Sequence, residues 1–253
     1  MEEVILDINS ASGSVHNSST RTIDAVVTNS PGPDHTNKET LLQVDASVPV
    51  YSAPSSAKLI QSWKHFDNVY TIPPFGKDGA LDWRAVEPSS KGRLPDWVRF
   101  WQLGWKEGFP ALHFGLMVTW ENEDEKDGEA ECLVLTPHGL YVDDVKVIAE
   151  AKPLIKPLAI MHTTKEASSW PFGRANLGAI NGLKVVRETG SKYWVPTHDE
   201  IVTSTGGYSW FLRERKISVE EALKQEEIET GEKRKTKGFE FAVVGNGDSF
   251  ILA

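Results

Sequence analysis

Histidine placement carries most of the chemical information in this sequence. Four of the seven histidines come just past, or at the end of, a largely apolar run: His35 after IDAVVT, His138 after CLVLTP, His162 closing PLAIM and His198 after KYWVPT. A fifth, His113, stands at the head of FGLMV. Neutral imidazole is the commonest protein ligand for zinc, and it exchanges protons near neutral pH. Asp34 and Asp199 set carboxylates beside two of these histidines, giving mixed nitrogen and oxygen donors that suit zinc, manganese or iron. A competing reading needs no metal, because a histidine at a strand end is commonly a half-exposed residue bonded to a backbone carbonyl. His16, in a polar loop, and His65, in SWKHFD, follow no apolar run and read as structural.

For the five to meet, the runs before them have to be strands that end at one rim. Strand candidates are EVILDI (3–8), TIDAVVT (22–28), SVPVYSA (47–53) and NVYTIPPF (68–75), with helical spacing in KETLLQV (38–44) and SSAKLIQSW (55–63). Alternation of strand and helix over this first third favours parallel pairing through crossover helices. ALHFGLMVTWENE (111–123) and ECLVLTPHGLYV (131–142), joined by a charged turn, read as an antiparallel hairpin that sets the start of one strand beside the end of the other. That pairing would put His113 next to His138.

PLAIMHTT (157–164) and KYWVPTHDE (192–200) are further strands, and LGAINGLKVVRETG (177–190) is a helix closed by Gly190. SVEEALKQEEIE (218–229) opens on a Ser-x-x-Glu capping box, and FEFAVVGNGDSFILA (239–253) reads as a closing strand pair. Trp97, Trp101 and Trp105 recur every four residues, which predicts an apolar helix stripe for the core or an aromatic wall over the rim. The remainder of 76–108 is too polar to assign.

Several functions are argued against by composition. A formal charge of −9 over 253 residues disfavours a nucleic-acid partner, and the basic EKRKTKG (232–238) reads as a solvated loop. No run reaches the roughly 18 apolar residues of a membrane helix. MEEVILDINSASG lacks the basic start of a signal peptide, and Cys132 stands alone, so a reducing, cytoplasmic setting is expected. Cys132 lies inside ECLVL and reads as core. There is no Gly-x-Ser-x-Gly elbow and no phosphate loop, and STGGYSW (204–210) reads as a loop following THDE.

The ordered set DHTNKETL, VPVYSAPSSAKLIQSWKHFDNVYTIP, LHFGLMVTW, LVLTPHG and NLGAINGLKVVRETGSKYWVPTHDE resembles the metallo-β-lactamase superfamily. More narrowly, it is similar to the fungal "β-lactamase superfamily domain" proteins of the UlaG-like lactonase branch. The resemblance implies a single domain over 1–253, an α/β (α+β) fold built as a four-layer αββα sandwich. It also implies one or two zinc ions, sometimes manganese or iron, whose bound water attacks a carbonyl or phosphoryl centre.

The superfamily signature His-x-His-x-Asp-His falls on residues 30–35, where its two leading histidines are Ser30 and Gly32 and only Asp34 and His35 match. The resemblance further makes His113 the middle histidine of the first metal position and His198 the final histidine of the second. His138 falls where a bridging aspartate is usual. A two-metal centre therefore lacks ligands. One divalent ion held by Asp34, His35 and His198 is the expectation, with His138 as fourth ligand or proton carrier and His113 nearby; His162 matches a recurring histidine without an assigned role. The expected activity is hydrolysis of a small ester or lactone, or a related proton-transfer or lyase step. The alternative is a metal-free homologue that binds a ligand or partner, and the sequence leaves oligomeric state open.

Overall fold

A computed structural model describes residues 23–86, 88–104, 112–121, 128–170, 173–200, 210–232, 238–245 and 247–252. The expected strand at 3–8, His16, Trp105, the 204–209 part of STGGYSW, the tip of the 111–142 hairpin and most of EKRKTKG lie outside them. Two compact units emerge, one within Met1–Ile72 together with Pro88–Arg93, the other Pro73–Glu87 together with Leu94–Ala253.

The smaller unit is a parallel sheet of β1 (Val26–Thr28), β2 (Val50–Ser52) and β3 (Val69–Thr71), in that order. Helices α1 (Lys38–Leu41) and α2 (Pro54–Ser62) make the crossovers, the alternation read from the sequence. Asn37 caps α1 by accepting from the Thr40 amide at 2.9 Å. Pro54 opens α2, where its missing N–H costs nothing. That helix buries Ser56, Ala57 and Ile60. Helix α3 (Pro88–Lys91) joins this unit: the Arg93 amide donates to the Tyr51 hydroxyl at 3.0 Å, and a β-carbon at Gly92 would meet the Tyr70 ring at 2.6 Å.

In the larger unit, β4 (Val98–Leu103), β5 (Gly115–Glu121) and β6 (Ala130–Thr136) pair antiparallel. The short helix α4 (Val142–Val145) follows, and β7 (Ile155–His162) then lies parallel to β6. Next come β8 (Lys165–Ser169), β9 (Gly173–Leu177), α5 (Gly178–Thr189) and β10 (Tyr193–Pro196). The chain continues through β11 (Leu212–Lys216), α6 (Val219–Thr230) and β12 (Glu240–Phe241). The main sheet runs β12-β10-β7-β6-β5-β4, and a second, antiparallel sheet runs β11-β8-β9.

Both long helices end as their sequences dictate. Gly190 adopts φ 66° and bonds back to Val186, and Ser218 caps α6 through the Glu221 amide. Buried Trp101, Met117, Val134, Ile160, Leu183 and Trp194 make the core.

Two expectations fail here. Trp97 and Trp101 do not share a helix stripe: 98–103 is a strand whose alternate residues Arg99, Trp101 and Leu103 are buried, while Trp97 is exposed. A spacing of four fits period 2 as well as period 3.6, and pairing with β5 decided it. Nor do residues 239–253 form a strand pair among the described residues; only Glu240–Phe241 is extended, and it pairs parallel to Tyr193–Trp194. Among the described residues no helix is long and apolar enough to cross a membrane.

Candidate metal centre

On the smaller unit, the chain leaving β1 folds back on itself. The His35 and Thr36 amides donate to the Gly32 carbonyl at 2.9 and 2.7 Å, and the Thr36 hydroxyl donates to the Ser30 carbonyl. Ser30, buried, also accepts from the Gly32 amide at 3.3 Å. The turn presents Asp34 Oδ2 3.4 Å from His35 Nε2, with the Asp34 side chain 56% exposed. A β-carbon at Gly32 would lie 2.6 Å from Asp34 Oδ1. Glycine therefore makes room for the carboxylate, and Ser30 and Gly32 hold the loop that displays Asp34 and His35.

The larger unit supplies its own histidines by strand order. Thr136, His162 and Pro196 lie abreast on β6, β7 and β10, all parallel. His138 and His198 each come two residues beyond, on the strands flanking β7, and their rings meet edge to face with centroids 4.7 Å apart. His138 Nδ1 donates to Asn176 Oδ1 at 2.7 Å. An amide oxygen only accepts, so this bond sets the tautomer and makes Nε2 the lone-pair nitrogen, the usual preparation of a metal-ligating histidine.

His198 has φ 58°, a conformation rare for a residue with a side chain. Asp199 holds it there. Its carboxylate accepts from the Thr163 hydroxyl at 2.7 Å, the Thr164 amide at 2.8 Å, the Lys165 amide at 3.0 Å and the Thr164 hydroxyl. Both oxygens are engaged in the β7–β8 turn, so Asp199 positions the loop. Glu200 lies 3.6 Å from His198 Nδ1.

The remaining histidines differ. His113 Nε2 donates to the Arg174 carbonyl at 3.1 Å and its ring abuts Tyr141, while Nδ1 is buried with no hydrogen-bond partner among the described residues. Burial, above all, holds its pKa below the usual range. His162 is fully buried; Nδ1 donates to the Thr163 carbonyl at 2.7 Å, Nε2 lies 3.1 Å from the Asn181 amide group, and burial lowers its pKa. It is a core residue. His65 is structural as expected, bonded to the Val44 carbonyl at 2.8 Å. Cys132 is fully buried, which pushes its thiol pKa far up and rules it out as a nucleophile. Asn176 was not legible as a site residue, because nothing in FGRANL marks it until β9 is known to lie beside His138.

No protein-family model matches the chain, and no curated protein matches it by sequence. Its fold is similar to an isothiocyanate hydrolase from Delia radicum gut bacteria, with TM-score 0.53, 16% identity, and coverage of 91% of this chain and 77% of that one. A possible metal-dependent hydrolase from Veillonella parvula gives TM-score 0.54 at 16% identity, covering 90% and 75%. A metallo-β-lactamase fold protein from Bacillus subtilis gives 0.49 at 11%, covering 90% and 76%. At such identities the likeness speaks of fold alone: the chain has a mixed α+β fold shared with the first two of these proteins.

Proposed function

We propose that this chain is a hydrolase of a small organic molecule that uses one divalent ion, zinc by preference, with Asp34, His35, His138 and His198 as its candidate ligands. The observation that carries the reading is the Asn176–His138 bond, which readies one nitrogen of an imidazole packed against His198. Three imidazoles and one carboxylate are the donor chemistry of zinc, with manganese and iron less favoured. Bound there, the ion would polarise an electrophilic carbon and acidify a water.

The rest falls to the chain's own groups. A carboxylate has two oxygens, so Asp34 can serve as ligand and accept the proton of the attacking water. His138 is either the fourth ligand or, left off the ion, the group whose Nε2 takes up a proton and passes it to the leaving group. Asp199 and Asn176 keep the two histidines of the larger unit in place. Carboxylic esters and lactones are the substrate class, and the fold shared with an isothiocyanate hydrolase adds aryl isothiocyanates to the assay. Membership of the UlaG-like branch, and a cytoplasmic location, are part of the same proposal.

Ser30 and Gly32 favour a second reading, a metal-free binding protein. Metal analysis of protein purified without added metal decides. About one equivalent, lost in His35→Ala and His198→Ala together with hydrolysis of p-nitrophenyl acetate, a γ-lactone or phenyl isothiocyanate, supports the enzyme. No metal, no turnover and thermal stability unchanged by chelator support the second reading.

A further inference from the structure

The β11-β8-β9 sheet carries a feature that the proposed hydrolysis leaves unused. Alternation along β8 puts Glu166, Ser168 and Trp170 on one face, and the burial of Lys165, Ala167 and Ser169 places the opposite face inward. Register sets Arg213 and Arg174 on either side of Ser168, and Arg215 opposite Glu166. Phe211, whose carbonyl accepts from the Trp170 amide, faces that tryptophan with ring centroids 6.1 Å apart. Along one direction the face therefore presents an aromatic pair, then two arginines about a serine, then a carboxylate.

A cavity of 210 Å³ opens at the arginine row. Two of its charges are already answered: Glu214 lies 3.6 Å from Lys165, and Arg215 pairs with Glu221. Arg174 and Arg213 have no ion pair and no side-chain hydrogen bond among the described residues. Trp170 is 74% exposed, a large apolar area left to solvent. Guanidinium groups match a carboxylate with paired donors, and an exposed indole stacks on a flat ring. Glu166, two residues along the face from Ser168, repels an anion towards the arginine row and away from its own end.

We propose that this face is a binding subsite for an aromatic carboxylate, its charge between Arg174 and Arg213 and its ring against Trp170 and Phe211. Asn176, which lines the same cavity, also bonds His138. As the arm that selects substrate the subsite rests on the hydrolytic reading, but as a binding site it does not. The test is calorimetric titration of chelator-treated full chain with 1-naphthoate, with neutral 1-naphthamide and with inorganic phosphate.

Naphthoate should bind at least about tenfold more tightly than naphthamide, and the Arg174→Gln, Arg213→Gln double variant should lose about tenfold. Trp170→Ala should cost about fivefold. All three substitutions are at exposed positions, and circular dichroism checks folding. Equal binding of acid and amide, no heat from naphthoate, or phosphate binding as tightly as naphthoate overturns the proposal. Because metal is absent from the titration, its failure alongside intact metal-dependent turnover removes the subsite only, and the reverse outcome removes the hydrolase only.

Discussion

Asp34 and Asp199 each stand beside a histidine in the sequence, yet the Asp199 carboxylate accepts from Thr163, Thr164 and Lys165, whereas Asp34 lies 3.4 Å from its own His35 with most of its side chain in solvent. The difference comes from what each loop aims at its carboxylate. After β10 the chain meets a turn whose backbone amides need acceptors, and Asp199 satisfies them. After β1 the loop satisfies itself through the Gly32 and Ser30 carbonyls, which leaves Asp34 available for chemistry. An acidic residue next to a histidine is thus a ligand candidate only where the surrounding backbone does not claim it.

The strongest way to break this contrast is to remove each carboxylate. Asp199→Ala should cost about 3 kcal/mol in urea unfolding, since it orphans the Thr164 and Lys165 amides. Asp34→Ala, at an exposed site, should cost under about 0.5 kcal/mol and instead lower bound metal. Equal losses of stability from the two variants would end the distinction.

A second test acts through Asn176. Asn176→Ala should weaken metal binding by about 10–100-fold, measured by competition with a chromogenic chelator, because His138 loses the partner that fixes its tautomer. Unchanged affinity would show that Asn176 serves the fold alone.

How much of this was legible beforehand follows from range. Parallel crossovers in the smaller unit, the β5–β6 hairpin, the Gly190 and Ser218 caps and the histidines after β6 and β10 rest on local pattern, and they stand. The strand at Val98–Leu103 was missed because tryptophans four apart satisfy either period until a neighbour is known. Strands β8, β9 and β11 were missed because KEASS, GRANL and LRERK are polar, and their pairing comes from one another rather than from an apolar face. The roles of Asn176 and Asp199 are long-range hydrogen bonds, invisible to spacing. Ser30 and Gly32 looked like losses. The 2.6 Å approach at Gly32 shows what occupies the space instead.

That approach yields a third prediction. Gly32→His, which puts a second histidine in this loop, should not add a second metal equivalent. Its β-carbon would displace the Asp34 carboxylate, so bound metal should fall and stability drop by about 1–2 kcal/mol. A second equivalent, found by plasma mass spectrometry, would mean that the loop can rearrange to hold another ion and that the contrast with Asp199 is shallow.

The smallest effect joins Asp199 to the core. Burial holds the pKa of His162 below 6.5 in the folded protein, and the Asp199 charge is among the influences that partly oppose this. In the unfolded chain the same histidine titrates near 6.5. Below that pH the unfolded state takes up a proton that the folded state refuses, so stability falls as the pH falls. The decline continues until the folded pKa is reached, and above 6.5 this contribution is flat. His113, lowered by burial as well, adds to the same slope. Urea midpoints should therefore decline below pH 6.5, and His162→Gln should flatten part of that decline even though it is less stable at every pH. Asp199→Asn takes away the charge that favours protonated His162, which lowers the folded pKa further and carries the decline to lower pH. Asp34→Asn should leave the window where it is. If both aspartate variants moved the window equally, Asp199 would have no special hold on the interior beneath it.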